Sequence, residues 1–156
     1  MTVYNFETQL AKGEQAEAVL DAFFSGKFIV EKATPDQQRR EIDRVLIDRH
    51  SKRWIAVEYK TDWTASRSGN AFVETVSVDT RNVRGWAYTS QADYLAYYVP
   101  GDKLIYILRF STLREQLPGW KYKYQRRAIP NAGYKTIGLL VPLHEFERHS
   151  LEVVSL

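Results

Sequence analysis

Four charged side chains interrupt two apolar runs of the chain, EIDRVLID and RWIAVEYKTD: Glu41, Asp43, Glu58 and Lys60. Burying a charge is unfavourable unless something compensates it, so these positions ask for a partner or for water. If the connection between the runs is a tight turn centred on His50-Ser51, Asp43 lies opposite Glu58 and Glu41 opposite Lys60. Side chains alternate along a strand with period two, so all four share one face. Like charges directly opposed repel. Two facing carboxylates then need a cation between them, a shared proton, or full exposure. Mg2+ suits the first case, since it takes oxygen ligands from one or two carboxylates. The alternative is a surface Glu41–Lys60 ion pair with Asp43 and Glu58 merely solvated.

A fifth acid comes from a helix. In QLAKGEQAEAVLDAFFSG, closed by Gly26, the residues Leu10, Gly13, Glu17, Leu20 and Phe24 fall on one stripe, with Ala16, Val19 and Phe23 beside it. Glu17 occupies an inward position of that stripe, whereas Glu14 and Asp21 fall on the polar side. Asp62 follows Lys60 on the same strand face, and Glu74 alternates with Phe72 and Val76, so both are weaker candidates for the same site.

The elements that must position these groups are a helix, a first strand KFIVEKA, a polar loop TPDQQRR, and the two strands that carry the acids. SGNAFVETVSVD reads as a further strand opened by Gly69-Asn70, and ADYLAYYV with KLIYILRF as a hairpin around Pro100-Gly101. STLREQL reads as a short helix capped by Ser111 and stopped before Pro118-Gly119. KYKYQRR follows as an exposed strand, KTIGLLV as a buried one, and LHEFERH as a last short helix. A strand-rich sheet with a few helices makes this chain α/β or α+β, in one domain over residues 1–156.

In KGEQAE, EIDRVLID and VEYKTD, the order helix Glu, strand Asp, then Glu-x-Lys resembles the PD-(D/E)xK nuclease superfamily of restriction endonucleases and Holliday junction resolvases. The likeness covers roughly the first 60–65 residues, while SGNAFVE and SQADYLAYY resemble phage-type members of that group. The pattern departs in one place, since Ile42 and not proline precedes the acid. The literal Pro35-Asp36 is rejected as the ligand, because no apolar strand follows it at once, whereas Val45, Leu46 and Ile47 follow Asp43. The resemblance implies an α/β, restriction-endonuclease-like core with a mixed central sheet flanked by helices, and a Mg2+-dependent endonuclease hydrolysing phosphodiester bonds of duplex or branched DNA, with Mn2+ as a substitute and 5′-phosphate products. It also implies that Asp43, Glu58 and the main-chain carbonyl of Tyr59 hold the metal, that Lys60 stands beside the attacking water, and that Glu17 completes the shell directly or through water. The other reading is a nucleic-acid-binding module that keeps the fold without turnover.

Alternation in KYKYQRR places Lys121 and Lys123 on one face and Tyr122 and Tyr124 on the other, ahead of Arg126 and Arg127. Cations of this kind neutralise phosphates and tyrosines stack on bases; lysines guarding an edge strand would look the same. Arg84, Arg81, Arg67 and Arg39-Arg40 are further candidate phosphate contacts, and SRSGN a flexible cover for substrate. One chain offers one site, so cleavage of both strands implies a homodimer, and a monomer implies nicking.

A net charge of +3 permits a nucleic-acid partner without requiring one. The absence of cysteine excludes disulfides and thiolate metal sites, and His50, His144 and His149 are too scattered to suggest zinc. Neither a leader pattern at the start nor a membrane-length apolar run is visible, so a cytoplasmic protein is expected.

Overall fold

The computed structural model describes residues 3–156, with side chains from Glu7 onward. Helix α1 (Val3–Ser25) is followed by strands β1 (Phe28–Lys32), β2 (Arg44–Asp48) and β3 (Trp54–Thr61), with a short helix α2 (Pro35–Arg39) between the first two strands. Then come α3 (Ala65–Ser68), β4 (Asn70–Val78), β5 (Val83–Arg84), α4 (Trp86–Thr89), β6 (Tyr94–Val99) and β7 (Leu104–Arg109). Helix α5 (Phe110–Lys123), β8 (Arg126–Pro130), β9 (Lys135–Pro142), α6 (Leu143–Arg148) and β10 (Glu152–Ser155) complete the chain.

The strands form a six-stranded sheet in the order β1-β2-β3-β6-β7-β10 and a four-stranded sheet in the order β5-β4-β9-β8. The first sheet is mixed: β3 and β6 run parallel, and its other neighbours are antiparallel. Parallel neighbours need a crossover, and residues 62–93 supply it, carrying β4 and β5 of the second sheet. The fold is thus α/β with a mixed central sheet and flanking helices. No helix among the described residues is long and apolar enough to cross a membrane.

Each face of the central sheet carries its own core. On one face α1 buries Ala16, Leu20 and Phe24 against Leu46, Val57, Tyr59 and Ile105. Full burial of side chains such as Leu20 is worth about 1.5–3 kcal/mol each, which explains why this helix forms despite Gly13 within it. On the other face Val45, Trp86, Leu95, Tyr97 and Phe110 meet Val73, Leu139 and Val141 of the second sheet.

Four local expectations are corrected. TPDQQRR is no loop: Thr34 and Gln37 form a reciprocal capping box that starts α2. STLREQL does not stop at Pro118-Gly119, and Ser111 is not its cap, since α5 runs from Phe110 to Lys123 through the proline. Proline inside a helix costs about 3 kcal/mol, but continuing the helix past it buries Trp120 in line with Phe110, Leu113 and Leu117, which offsets that cost. In consequence Lys121, Tyr122 and Lys123 lie on a helix, not on a strand with two alternating faces, and the strand begins at Arg126. SRSGN likewise folds into α3, closed by Gly69 in the left-handed region at φ 75°, and is not a loose flap.

Candidate active site

The turn between β2 and β3 sets the register that the sequence suggests: Arg44 pairs with Val57, Val45 with Ala56 and Leu46 with Ile55. The ladder ends at that first pair, and Asp43, just beyond it, brings its carboxylate within hydrogen-bonding reach of Glu58. Asp43 is held by its main chain, whose N–H donates to the Val57 carbonyl at 2.9 Å and whose carbonyl accepts from Ala33 at 3.1 Å. Its Oδ2 accepts the Tyr59 N–H at 2.7 Å. The N–H and C=O of one strand residue point to the same edge, so the Tyr59 carbonyl is directed to the side where Asp43 lies.

Glu58 is 4% exposed. Its Oε1 accepts from Lys60 Nζ at 2.9 Å, while Oε2 is buried without a hydrogen-bond partner. Burial pushes the Glu58 carboxyl up to about 8; Lys60 pulls it back, and the adjacent Asp43, charged and within hydrogen-bonding reach, raises it further. Ionised carboxylates only accept, so two of them in contact leave an oxygen unsatisfied unless a proton or a cation joins them. Burial pulls Lys60 down, but Glu58, Asp43 and Glu74 overcome that and hold its ammonium above the usual lysine value. Lys60 also lies 5.9 Å from the Trp86 ring centroid.

The other acids divide. Glu74 faces Lys60 from β4: burial raises its carboxyl, while Lys60 and a hydrogen bond from the Trp86 N–H pull it down and Glu41 pushes it up. Glu74 therefore joins the group around Lys60. Glu41 does not pair with Lys60 across the ladder, because the chain leaves α2 there with Glu41 at φ 57°. Its carboxylate accepts from Thr89, and its carbonyl accepts from Ser90 Oγ at 2.8 Å. Asp62 is occupied by Thr64, Ala65 and Tyr97, all of which donate to it. Asp36 sits on exposed α2 and pairs with Arg40 and Arg39 at 3.1 and 3.4 Å.

Glu17 is placed differently from the expectation. Its side chain is 49% exposed and pairs with Arg44 at 3.2 Å, on the α1 face of the sheet, whereas Glu58 and Lys60 occupy the opposite face. Arg44 also holds Asp21 at 2.9 Å, and Asp21 accepts the Tyr59 hydroxyl proton at 2.9 Å. Asp21, expected on the polar side, is thus part of the seam between helix and sheet. Helical periodicity finds the seam but not which of its edges a long arginine will claim. Among the described residues no three acidic or imidazole groups gather as a metal-holding cluster. The carboxylates that do come together are those of Asp43 and Glu58, with the Tyr59 carbonyl directed to the same edge of its strand.

Two clefts flank α4. One, of about 410 Å3, runs from Lys60 and Trp86 past Trp63 and Phe72 to Arg127. The other, of about 520 Å3, brings together Arg84, Tyr88, Lys121 and Arg126. In it the Arg84 guanidinium stacks on Tyr88 at 4.1 Å, and Lys121 Nζ lies 5.6 Å from the same ring. Arg126 and Arg127 are successive on β8 and so project to opposite faces, one into each cleft. Lys123 stands apart, over Tyr124 at 5.5 Å. Sequence reasoning missed Trp63 and Trp86 as site neighbours; the position of Trp63, three residues beyond Lys60, was the available signal. Compared with known protein families, with curated proteins and with solved structures, the chain matches none.

Proposed function

We propose that the chain is a metal-dependent endonuclease acting on DNA phosphodiester bonds, with Asp43, Glu58, Lys60 and the Tyr59 carbonyl as its centre. The observation that carries this reading is the buried, unpartnered Oε2 of Glu58 beside a second carboxylate, with a lysine on the other oxygen. A hard divalent cation fits that donor set, since it satisfies the orphaned oxygen and cancels the repulsion between the two acids. Bound there, Mg2+ or Mn2+ would polarise the scissile phosphate and lower the pKa of a water.

The chain's own residues do the rest. Asp43 and Glu58 supply negative oxygens on a rigid hairpin, fixed by the ladder between β2 and β3. Lys60 keeps its charge through its acidic neighbours and offers an ammonium for charge that develops on the phosphate. Glu74 balances Lys60 from the second sheet. Arg84, Lys121 and Arg126, none of them in an ion pair among the described residues, provide phosphate contacts away from the centre. A homodimer would bring two such centres together, one for each of two strands.

The test is incubation of the purified protein with linear, circular, single-stranded and branched DNA, with Mg2+, Mn2+ or a chelator. Cleavage that needs metal and disappears in Asp43→Asn and Lys60→Ala is the expected result. Binding without cleavage under every condition would favour a non-catalytic nucleic-acid-binding module.

A further inference from the structure

We infer that the cleft between Lys60 and Arg127 seats an unpaired nucleobase, so that the substrate is a single strand, a flap or an extruded nucleotide and not an intact duplex. The inference rests on the reading that Lys60 stands beside the scissile phosphate. The cleft opens directly from that lysine, and its volume of about 410 Å3 lies in the range of pockets that enclose small organic ligands.

Its walls suit a base. The indole of Trp63 is 44% exposed and Ile129 39% exposed, and both line the cleft. Trp86 and Phe72 form the inner wall. Arg127 is exposed and makes no ion pair with a carboxylate among the described residues, so its guanidinium is available to stack on a base or to meet a phosphate. Lys12 Nζ lies 5.6 Å from the Trp63 ring on the α1 side, a second cation at the rim. The one acid inside the cleft, Asp62, is turned toward donors from Thr64, Ala65 and Tyr97, and the cations Lys60, Arg127 and Lys12 around it outnumber it.

An intact duplex offers no free base face, since each base is paired and stacked; only an unpaired base can enter such a slot. Aromatic faces hold single-stranded bases with little sequence preference, and removing one such face weakens binding by about tenfold or more. A strand threaded through this cleft would place one base between Trp63 and Arg127 with its phosphate toward Lys60.

The experiment measures anisotropy of a labelled short oligothymidylate and of a labelled blunt hairpin duplex, in chelator, with cleavage of both followed separately in Mg2+. The full chain should bind the single strand at least tenfold more tightly than the duplex. Trp63→Ala should abolish that preference and Trp63→Phe should retain it, with circular dichroism confirming that both variants fold. Equal affinity for the two ligands, or a Trp63→Ala variant that keeps the preference, overturns the inference. If duplex is cleaved in Mg2+ and no strand preference exists, the nuclease reading stands and this inference falls. If nothing is cleaved while a Trp63-dependent preference persists, the base pocket stands and the nuclease reading falls.

Discussion

Glu58 and Asp43 approach each other from adjacent antiparallel strands with one lysine to serve both, so that the pair has more acceptors than donors. The shortage of donors makes the pair responsive to protons and cations alike.

The proton response has a definite sign. The folded protein holds the Glu58 proton up to about pH 8, whereas an unfolded chain releases it near pH 4.3. Between those values the native state binds the extra proton, so stability falls as pH rises from about 4.5 to about 8 and levels off above it. The loss is expected to be roughly 2–5 kcal/mol. Glu58→Gln should remove this pH dependence and be more stable than the parent protein at pH 9, as measured by urea denaturation. A parent protein whose stability is flat across that window would remove the basis for the pairing.

Metal should have the opposite pH profile. A cation needs Glu58 ionised, so it must displace the shared proton, and its affinity climbs with pH until about 8. Thermal melts with millimolar Mn2+ are expected to show a rise in Tm that grows between pH 6 and about 8 and vanishes in Asp43→Asn. No metal-linked rise at any pH would exclude the centre.

Lys60→Ala separates binding from chemistry. The ammonium is no metal ligand, so the Tm rise should survive while the cleavage rate drops by about 100-fold or more. Lys60→Arg should recover little, because a planar guanidinium does not fit the buried Glu58 Oε1 in the same way. A loss of metal binding in Lys60→Ala would assign the lysine to structure.

Glu17 and Arg44 should behave in reverse order of their apparent importance in the sequence. Glu17→Gln removes one half-exposed partner and is expected to change cleavage by less than about tenfold. Arg44→Ala strips the seam between α1 and the sheet, leaving the Asp21 carboxylate and the Tyr59 ring without their cation, and should destabilise by about 2–4 kcal/mol. Chemical denaturation of the two variants beside a cleavage assay checks both.

How far such a site could be read from the chain depended on whether each contact is local. The nearness of Asp43 to Glu58 was legible because a short turn at His50-Ser51 fixes the register of β2 on β3 by counting, and its last pair, Arg44 with Val57, lies one residue short of them. Glu41 was misread although it sits on the same count, because the helix before it ends in a left-handed residue and the ladder stops. Glu17 went to Arg44 through an association between a helix and a strand 27 residues away, which no periodicity encodes. Lys121 and Lys123 were placed on the wrong kind of element since Pro118 looks like a stop, while the burial of Trp120 that overrides it depends on the assembled core. That helices accompany a strand-rich sheet needed only the alternation of apolar runs. The second sheet did not announce itself, because its strands are contributed on both sides of the hairpin formed by β6 and β7.

That interleaving imposes a timetable on the chain. Strands β1 to β3 can zip together as soon as residues 28–61 are available, bringing Asp43 and Glu58 side by side. Their parallel neighbour β6 arrives only after residues 62–93, and the Arg127 wall of the cleft later still. Non-local pairings of this sort form late, so a ribosome-bound chain would own its two acids well before it owned anything with which to grasp a strand.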